Sequence, residues 1–545
     1  MEAEIVFING EVITVDQKNT VTEAVAVKNN RIVFVGLNSE ANSFIGEKTN
    51  VVDLQGRTLV PGFIDSHIHL TYYGLNQLAI NCKAEHIDSI EVLLDDLKKK
   101  ASETPKGEWI RAFGFNETAV KEMRYPTIDE LNAISVEHPI MISRTCNHIS
   151  VLNSKALELA KINDNTSDPD GGVIERNSEG RLTGKLIEAA NMEMSDVARH
   201  TEDEQRQAVK IASDHFIAAG LTSIHDAGGQ GPDSFRILQQ AVKSRDIRVR
   251  VYAMICQINN SQEFVHKMIE SGVVTGTGDD RFKVGPAKMF TDGSSTGPTI
   301  ATREPYDSDP NNYGILYQSE EEIYAVLGEA HKKGYQLTVH AQGDKAIEMY
   351  LNCVEKAMEE SPRKNHRHRI EHAGITSMDL QERMKKLEMI PIPNPPFPYE
   401  FGEIYVKHYG DRVHKMYAVR DFIDQGIIAA GGSDAPVTDI NPLLGIHVAV
   451  NRKSQSGIDI GSSQSISVME AIKLYTWNGA YASFEEHIKG SVEIGKLADL
   501  VILNNSILNV SPDQIKDIKV ETTMIDGEII YNKGNLVETK SSIDY

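Results

Sequence analysis

The segment Gly62-Phe63-Ile64-Asp65-Ser66-His67-Ile68-His69 places two imidazoles two residues apart in an apolar stretch. In a strand, side chains alternate faces, so His67 and His69 project one way while Ile64 and Ile68 project the other. Imidazoles about 7 Å apart along a strand can grip one divalent cation between them. Two histidines alone carry little weight, since surface or satisfied core histidines occur at any spacing. Three further residues add to them. His340 closes Gln336-Leu337-Thr338-Val339-His340, His372 closes Arg369-Ile370-Glu371-His372, and Asp434 follows the glycine-rich end of 427–433. Four imidazoles and one carboxylate at predicted strand ends suit zinc or a similar borderline metal.

Lys288, in Val284-Gly285-Pro286-Ala287-Lys288-Met289-Phe290-Thr291-Asp292-Gly293, sits near another strand end. Beside two metal cations its ammonium would be repelled and its pKa would fall. The neutral amine can then add carbon dioxide to give a carbamate, an anionic ligand able to bridge two metals. The spacing is equally compatible with an ordinary lysine paired with Asp292. Candidate substrate contacts are His148, His225, Asp292 and Trp109. His148, in Thr145-Cys146-Asn147-His148-Ile149-Ser150, either reaches the substrate or is structural. His225 either polarises a carbonyl or hydrogen-bonds to Asp226, and Trp109 is a core residue or a ligand wall.

The elements that must position these groups alternate as in parallel α/β architecture. Eight apolar stretches are expected as strands: 63–69, 221–226, 250–255, 284–290, 336–340, 369–372, 389–393 and 427–433. Eight is the number that a closed (β/α)₈ TIM-type barrel needs, and catalytic groups gather at the C-terminal ends of its strands. Residues 71–200 break the rhythm. They hold an amphipathic helix with Asp88 as its expected N-cap, an apolar strand at 139–143 and a polar, glycine-rich stretch. This segment is expected as a cap subdomain inserted after the first barrel strand, over the face where the loops build the site. Residues 1–60 and 490–545 are both rich in short β-branched runs, and the expectation is one small β-sandwich built from the two termini, around a barrel at 61–489.

Composition bounds the rest. Lys and Arg number 56 against 78 Asp and Glu, a net charge of −22, which argues against nucleic-acid or anionic-membrane binding. The four cysteines form no CxxC pair, so neither a disulfide framework nor a zinc ribbon is expected. The N-terminus lacks the pattern of a signal peptide, and no apolar run is long enough to span a bilayer. A cytoplasmic enzyme for a small-molecule substrate is expected, and a homodimer is compatible with that reading.

The pattern as a whole resembles the amidohydrolase superfamily of metal-dependent hydrolases. The resemblance covers nearly the whole chain: HxH at His67 and His69, single histidines at His340 and His372, and the strand-eight aspartate, Asp434. The segments Gly220-Leu221-Thr222-Ser223-Ile224-His225-Asp226, Lys288-Met289-Phe290-Thr291-Asp292-Gly293 and His340-Ala341-Gln342-Gly343-Asp344-Lys345-Ala346-Ile347 are similar to the branch that includes N-substituted formamide deformylases. The resemblance implies two divalent ions, His67 and His69 on one, His340 and His372 on the other, with carboxylated Lys288 bridging. Asp434 would touch the first ion and act as base. The implied reaction is cleavage of an amide or N-formyl C–N bond by metal-activated hydroxide. Deamination or cyclic-amide opening is the alternative within the superfamily, and a non-catalytic regulatory or binding barrel the alternative outside it. One departure is Pro391-Ile392-Pro393-Asn394-Pro395-Pro396, where relatives carry a glutamine before proline.

Elemental analysis of protein prepared without chelators is expected to give about two divalent ions per chain, the count that a bridged two-metal site requires. Protein that is metal-free as purified, and stays so after reconstitution, would remove the basis for the ligand assignment.

Overall fold

Seven parallel strands position the predicted histidine ligands and Lys288. The computed structural model describes residues 2–83, 86–145, 149–169, 171–258, 260–533 and 537–539. The strands are β1 (Phe63–Ile68), β2 (Leu221–Asp226), β3 (Arg250–Ile255), β4 (Phe282–Phe290), β5 (Leu337–Ala341), β6 (Arg369–His372) and β7 (Ile390–Ile392). Each pairs in parallel with its neighbour in the sequence, giving one sheet in the order β1 to β7. Helices such as Gly231–Lys243, Ser261–Ser271, Glu320–Lys332 and Asp344–Glu360 make the crossovers. Gly220 enters β2 at φ +85°, in the left-handed region, with Phe63 and Val520 packed against it.

The stretch 427–433, expected as an eighth strand, is not a regular strand. Its backbone still bonds to both ends of the sheet. Ala430 and Gly432 donate to the carbonyls of Pro391 (3.2 Å) and Pro393 (3.2 Å), while Ser66 donates to Gly431 (2.9 Å) and Asp434 to His67 (2.7 Å). The cause of the irregularity is in β7 and the residues beside it. Pro391 and Pro393 have no N–H, so they accept from this stretch but cannot return a bond, and the ladder is one-sided. The sheet is thus a nearly closed barrel of seven strands, with the gap between β7 and β1 bridged by irregular backbone.

Both chain ends contribute to two further sheets. Thr58–Pro61 pairs antiparallel with Leu500–Leu503 in a six-stranded sheet, and Ile5–Ile8 lies in a five-stranded one. Phe7, Val25, Val27 and Val52 of the second sheet share a buried cluster with Val12, Leu59, Leu500 and Met524 of the first. Arg250, at the start of β3, donates to Asp499 through Nε (2.6 Å) and Nη2 (2.9 Å) and also contacts Asp526. A bidentate, buried guanidinium of this kind fixes orientation as well as charge.

The described chain divides into two compact units, 71–212 and the remainder. The first has its own six-stranded sheet, in which Ile140–Arg144 pairs with Ile110–Phe115 and Ile149–Leu152. The helix Ile90–Glu103 of this unit is capped by Ser89, whose side chain accepts from the amide of Val92, and not by Asp88. Asp88 instead pairs with Lys121 at 2.8 Å. Among the described residues no helix is long and apolar enough to cross a membrane.

Three buried histidines lie just ahead of β6 and beside it. The amide of Leu337 donates to His368 Nδ1 (3.0 Å), His368 Nε2 meets His331 Nδ1 (2.9 Å), and His331 Nε2 meets the Ser361 carbonyl (2.7 Å). His366 Nδ1 accepts from the His368 amide at 3.0 Å. These partners leave both His331 and His368 neutral with defined tautomers. Burial and then neighbouring positive charge push His366 down to about 4 and His368 well below its usual value. A base whose folded pKa is depressed stabilises the fold above its unfolded value of 6.5 and loses that contribution as pH falls toward 4. Thermal unfolding is therefore expected to drop between about pH 7 and pH 4, and His366→Gln should flatten that slope. An unchanged slope in the variant would show that His366 takes no part.

Candidate metal centre

The C-terminal ends of β1, β5 and β6 and the bridge after residue 433 bring four histidines and one aspartate together. His67 Nε2 and His69 Nε2 each lie 3.3 Å from the same oxygen, Asp434 Oδ1. The ring of His67 is 4.7 Å from that of His372, and His372 is 4.4 Å from His340. Ligand atoms of His67, His372 and Asp434 all fall within 4.8 Å of one another, and all three residues are buried.

Backbone conformation aims two of these side chains. On β6, Arg369 and Glu371 share one face and alternation would send His372 to the other. His372 instead has φ +71°, and Asp434 has φ +59°. Left-handed backbone at a non-glycine residue costs of order 1–3 kcal/mol and clusters at functional sites.

Each imidazole has one ring nitrogen committed to an acceptor. His67 Nδ1 donates to Glu371 (2.5 Å), His69 Nδ1 to the Gly228 carbonyl (2.8 Å) and His372 Nδ1 to Asn394 Oδ1 (2.7 Å). His340 uses Nε2, which donates to the Gly293 carbonyl at 2.8 Å. Metal-ligating histidines are held in this way, with one N–H spent on an acceptor and the opposite nitrogen presented as a lone pair. His67 Nε2 is buried and makes no hydrogen bond of acceptable geometry, despite its closeness to Asp434. An unsatisfied buried nitrogen beside a carboxylate and two more imidazoles fits a divalent cation by donor chemistry.

Electrostatics agree with a site built for positive charge. Burial and Lys288 depress the pKa of His67, but Glu371 and Asp434 outweigh them and raise it. Burial alone would raise Asp434, yet the imidazoles of His67 and His69 at 3.3 Å, with positive charge on His67 and His372, hold its carboxyl well below the usual range. Burial, with help from neighbouring rings, keeps His372 well below its usual value and takes His340 down to about 4.

Lys288 is buried on β4, with Nζ 3.4 Å from the Ala227 carbonyl and 5.2 Å from the centre of the Phe290 ring. No ion pair joins it to Asp292 among the described residues. Asp292 accepts from the amides of Ala301 (3.1 Å), Gln342 (3.1 Å) and Gly343 (2.8 Å), which ties the loops after β4 and β5 together. Its Oδ1 also lies 3.6 Å from His340 Nε2. His225 faces Arg369, whose Nη1 donates to its Nδ1 at 2.9 Å. Trp109 belongs to the 71–212 unit, against the cluster that includes Leu152 and Leu186, with the Arg111 guanidinium 5.6 Å from its ring centre. His148 lies outside the described residues.

Sequence reasoning missed three residues that hold the ligands. Arg369 and Glu371 stand beside His372 in Arg369-Ile370-Glu371-His372, and a charged pair at strand spacing inside a buried β-run was the available signal. Asn394, which in the sequence stands out only as a departure from relatives, bridges His372 to the Gly432 carbonyl, to which its Nδ2 donates at 3.1 Å.

A nearly closed parallel barrel with histidines and an aspartate converging at its strand ends defines a metal-dependent hydrolase. Residues 50–531 match the model of the amidohydrolase family, and the chain belongs to that family. It is 31% identical over 541 residues to "Putative amidohydrolase YtcJ" of Bacillus subtilis, covering 96% of this chain and 98% of that protein. It is 27% identical over 542 residues to an N-substituted formamide deformylase of Arthrobacter pascens, covering 97% and 98%. The crystal structure of an uncharacterized metal-dependent hydrolase from Pyrococcus horikoshii aligns with a TM-score of 0.78 at 26% identity, over 93% of this chain and 99% of that one.

The bridge after β7 approaches β1 so closely that only glycine fits. A Cβ on Gly432 would lie 2.7 Å from His67 Cβ and 2.8 Å from the His67 amide nitrogen. Gly432→Ala is expected to lower stability by about 1–3 kcal/mol, the usual cost of overpacking, and to weaken metal retention by displacing His67. Urea unfolding together with metal analysis of the same preparation checks both effects. A variant that matches the parent in both would show that this approach has slack.

Proposed function

We propose that the protein hydrolyses a non-peptide C–N bond, an amide or N-formyl group, in a small-molecule substrate, using two zinc ions. The observation that supports this most is the convergence of His67, His372 and Asp434 within 4.8 Å, each histidine turned by a partner on its far nitrogen. The whole-length similarity to a formamide deformylase favours the C–N bond. In this reading His67 and His69 would hold one ion and His340 and His372 the other, and Lys288, carboxylated on Nζ, would supply an anionic ligand to both. The bound ions supply acidity to a coordinated water, whose pKa of about 15.7 can fall to about 7, and polarise the scissile carbonyl.

The residues of the chain do the rest. Asp434, kept ionised by His67 and His69, takes the proton from the attacking water and returns it to the departing nitrogen. His69 is oriented by the Gly228 carbonyl and His340 by that of Gly293, so the cluster is preorganised for charge that develops during reaction. Asp292 positions the loops after β4 and β5 around the substrate, while His225 braces the interior. The terminal sheets form a small sandwich, and the enzyme works in the cytoplasm.

Two variants test this reading. Asp434→Asn should reduce kcat by about 10²–10⁴-fold, the range for loss of a general acid–base group. Lys288→Ala should lose most bound metal with circular dichroism unchanged, and a crystal structure of the parent should show three extra atoms on Nζ, about 2.0–2.2 Å from each ion. Full metal and full activity in Lys288→Ala would replace the carbamate with an ordinary lysine. Turnover of N-formyl, N-acyl-amino-acid and cyclic-imide substrates by metal-loaded enzyme settles the bond class. Activity confined to esters or phosphotriesters would overturn the C–N assignment.

A further inference from the structure

Below the candidate metal centre, one buried network of the barrel interior is organised around the Glu371 carboxylate. Glu371 Oε1 accepts from Thr338 Oγ1 (2.6 Å) and Arg369 Nε (2.8 Å), and Oε2 accepts from His67 Nδ1 (2.5 Å) and Arg369 Nη2 (2.9 Å). Arg369 Nη2 also donates to the Ser66 carbonyl at 2.6 Å, and its Nη1 to His225 Nδ1 at 2.9 Å. Every one of these residues is at most 1% exposed. The network therefore links β1, β2, β5 and β6 through groups that have no water to fall back on.

We infer that Glu371 is a positioning residue that makes His67 a metal ligand: it fixes the proton on Nδ1 and the ring plane, so that Nε2 faces the centre as a lone pair. This rests on the metal reading proposed above. A carboxylate clamped bidentately by a guanidinium can only accept hydrogen bonds, so the nitrogen facing it must carry the proton. Thr338 and Arg369 occupy the remaining acceptor positions of Glu371, which leaves the carboxylate no alternative orientation. Arg369 in turn bonds to the backbone carbonyl of Ser66, the residue before His67, so the clamp and the ligand it orients are referenced to the same strand. Glutamine cannot substitute cleanly. In either orientation its NH₂ group points at a donor, Arg369 Nη2 and His67 Nδ1 in one and Arg369 Nε in the other.

Chelator competition with zinc on the apoprotein tests the inference without reference to turnover. Glu371→Gln is expected to weaken one of the two zinc equivalents by about 10–100-fold, the usual effect of removing such a supporting partner, and to leave the other within about threefold. The double variant Arg369→Gln/Glu371→Gln removes the buried charge pair together, keeps the interior filled and should show the same selective loss if the single variant folds poorly. A measurement on the parent alone serves if neither variant folds. In zinc-loaded protein with ¹⁵N-labelled histidine, His67 should carry an exchange-protected proton on Nδ1 and none on Nε2. Zinc binding equal to the parent's in a folded variant, or Nδ1 found as the liganding nitrogen, overturns the role of Glu371. Failure of the parent apoprotein to bind zinc at all would instead sink the metal reading itself, a separate outcome.

Discussion

The hydrogen bond from the Asp434 amide to the His67 carbonyl, 2.7 Å long, is the contact on which the centre depends. It is the point at which the last βα loop meets the first strand, and it places an anion beside two imidazoles on β1. Asp65 reinforces it, since one carboxylate oxygen accepts from the amides of both His67 (3.0 Å) and Ser433 (3.1 Å). Without that seam the candidate ligands of β1 would belong to one edge of an open sheet, and Asp434 would hang from a segment bonded to the sheet only on the β7 side. Closure of the barrel and assembly of the centre are therefore one event, not two.

The interior beneath the seam departs from the aliphatic layers that commonly fill such barrels. Tyr252 donates to Gln336 (2.7 Å), Gln336 donates to the Ala482 carbonyl (3.0 Å), and Lys283 and Lys489 both pair with Glu485 (2.9 and 2.8 Å). Buried ions repay their desolvation only when geometry is good and remaining donors and acceptors are satisfied. A core of this type contributes little net stability, but its directional bonds admit few alternative packings. That suits a fold whose strand ends must hold five candidate ligand side chains in one arrangement.

Much of this was legible in the sequence because it is local. The period-two spacing of His67 and His69, the strand-terminal positions of His340 and His372, and the glycine-rich approach to Asp434 are each contained in fewer than ten residues. The alternation of strand and helix likewise marked seven of the strands. What escaped depends on partners distant in the chain. Arg369 and Glu371 have a visible purpose only once β6 is known to lie across from Ser66 and His67. The irregularity of 427–433 follows from two prolines on a neighbouring strand edge, and the φ values that turn His372 and Asp434 inward have no composition signal. Asp88 lost the helix cap to Ser89 because both residues cap well and adjacent positions compete.

The pairing of Thr58–Pro61 with Leu500–Leu503 has a consequence for how the protein is made. Thr58–Pro61 cannot meet its partner until about 440 further residues have been translated. At about 5–20 residues per second, the wait is roughly 20–90 s, during which an apolar edge is open to wrong partners. The barrel can form ahead of that, strand by neighbouring strand, because its own pairings are sequential. Truncation by a few dozen residues at the C-terminus would thus strand the N-terminal sheets while leaving every ligand in the chain, and would convert a biosynthetic delay into a permanent aggregation hazard.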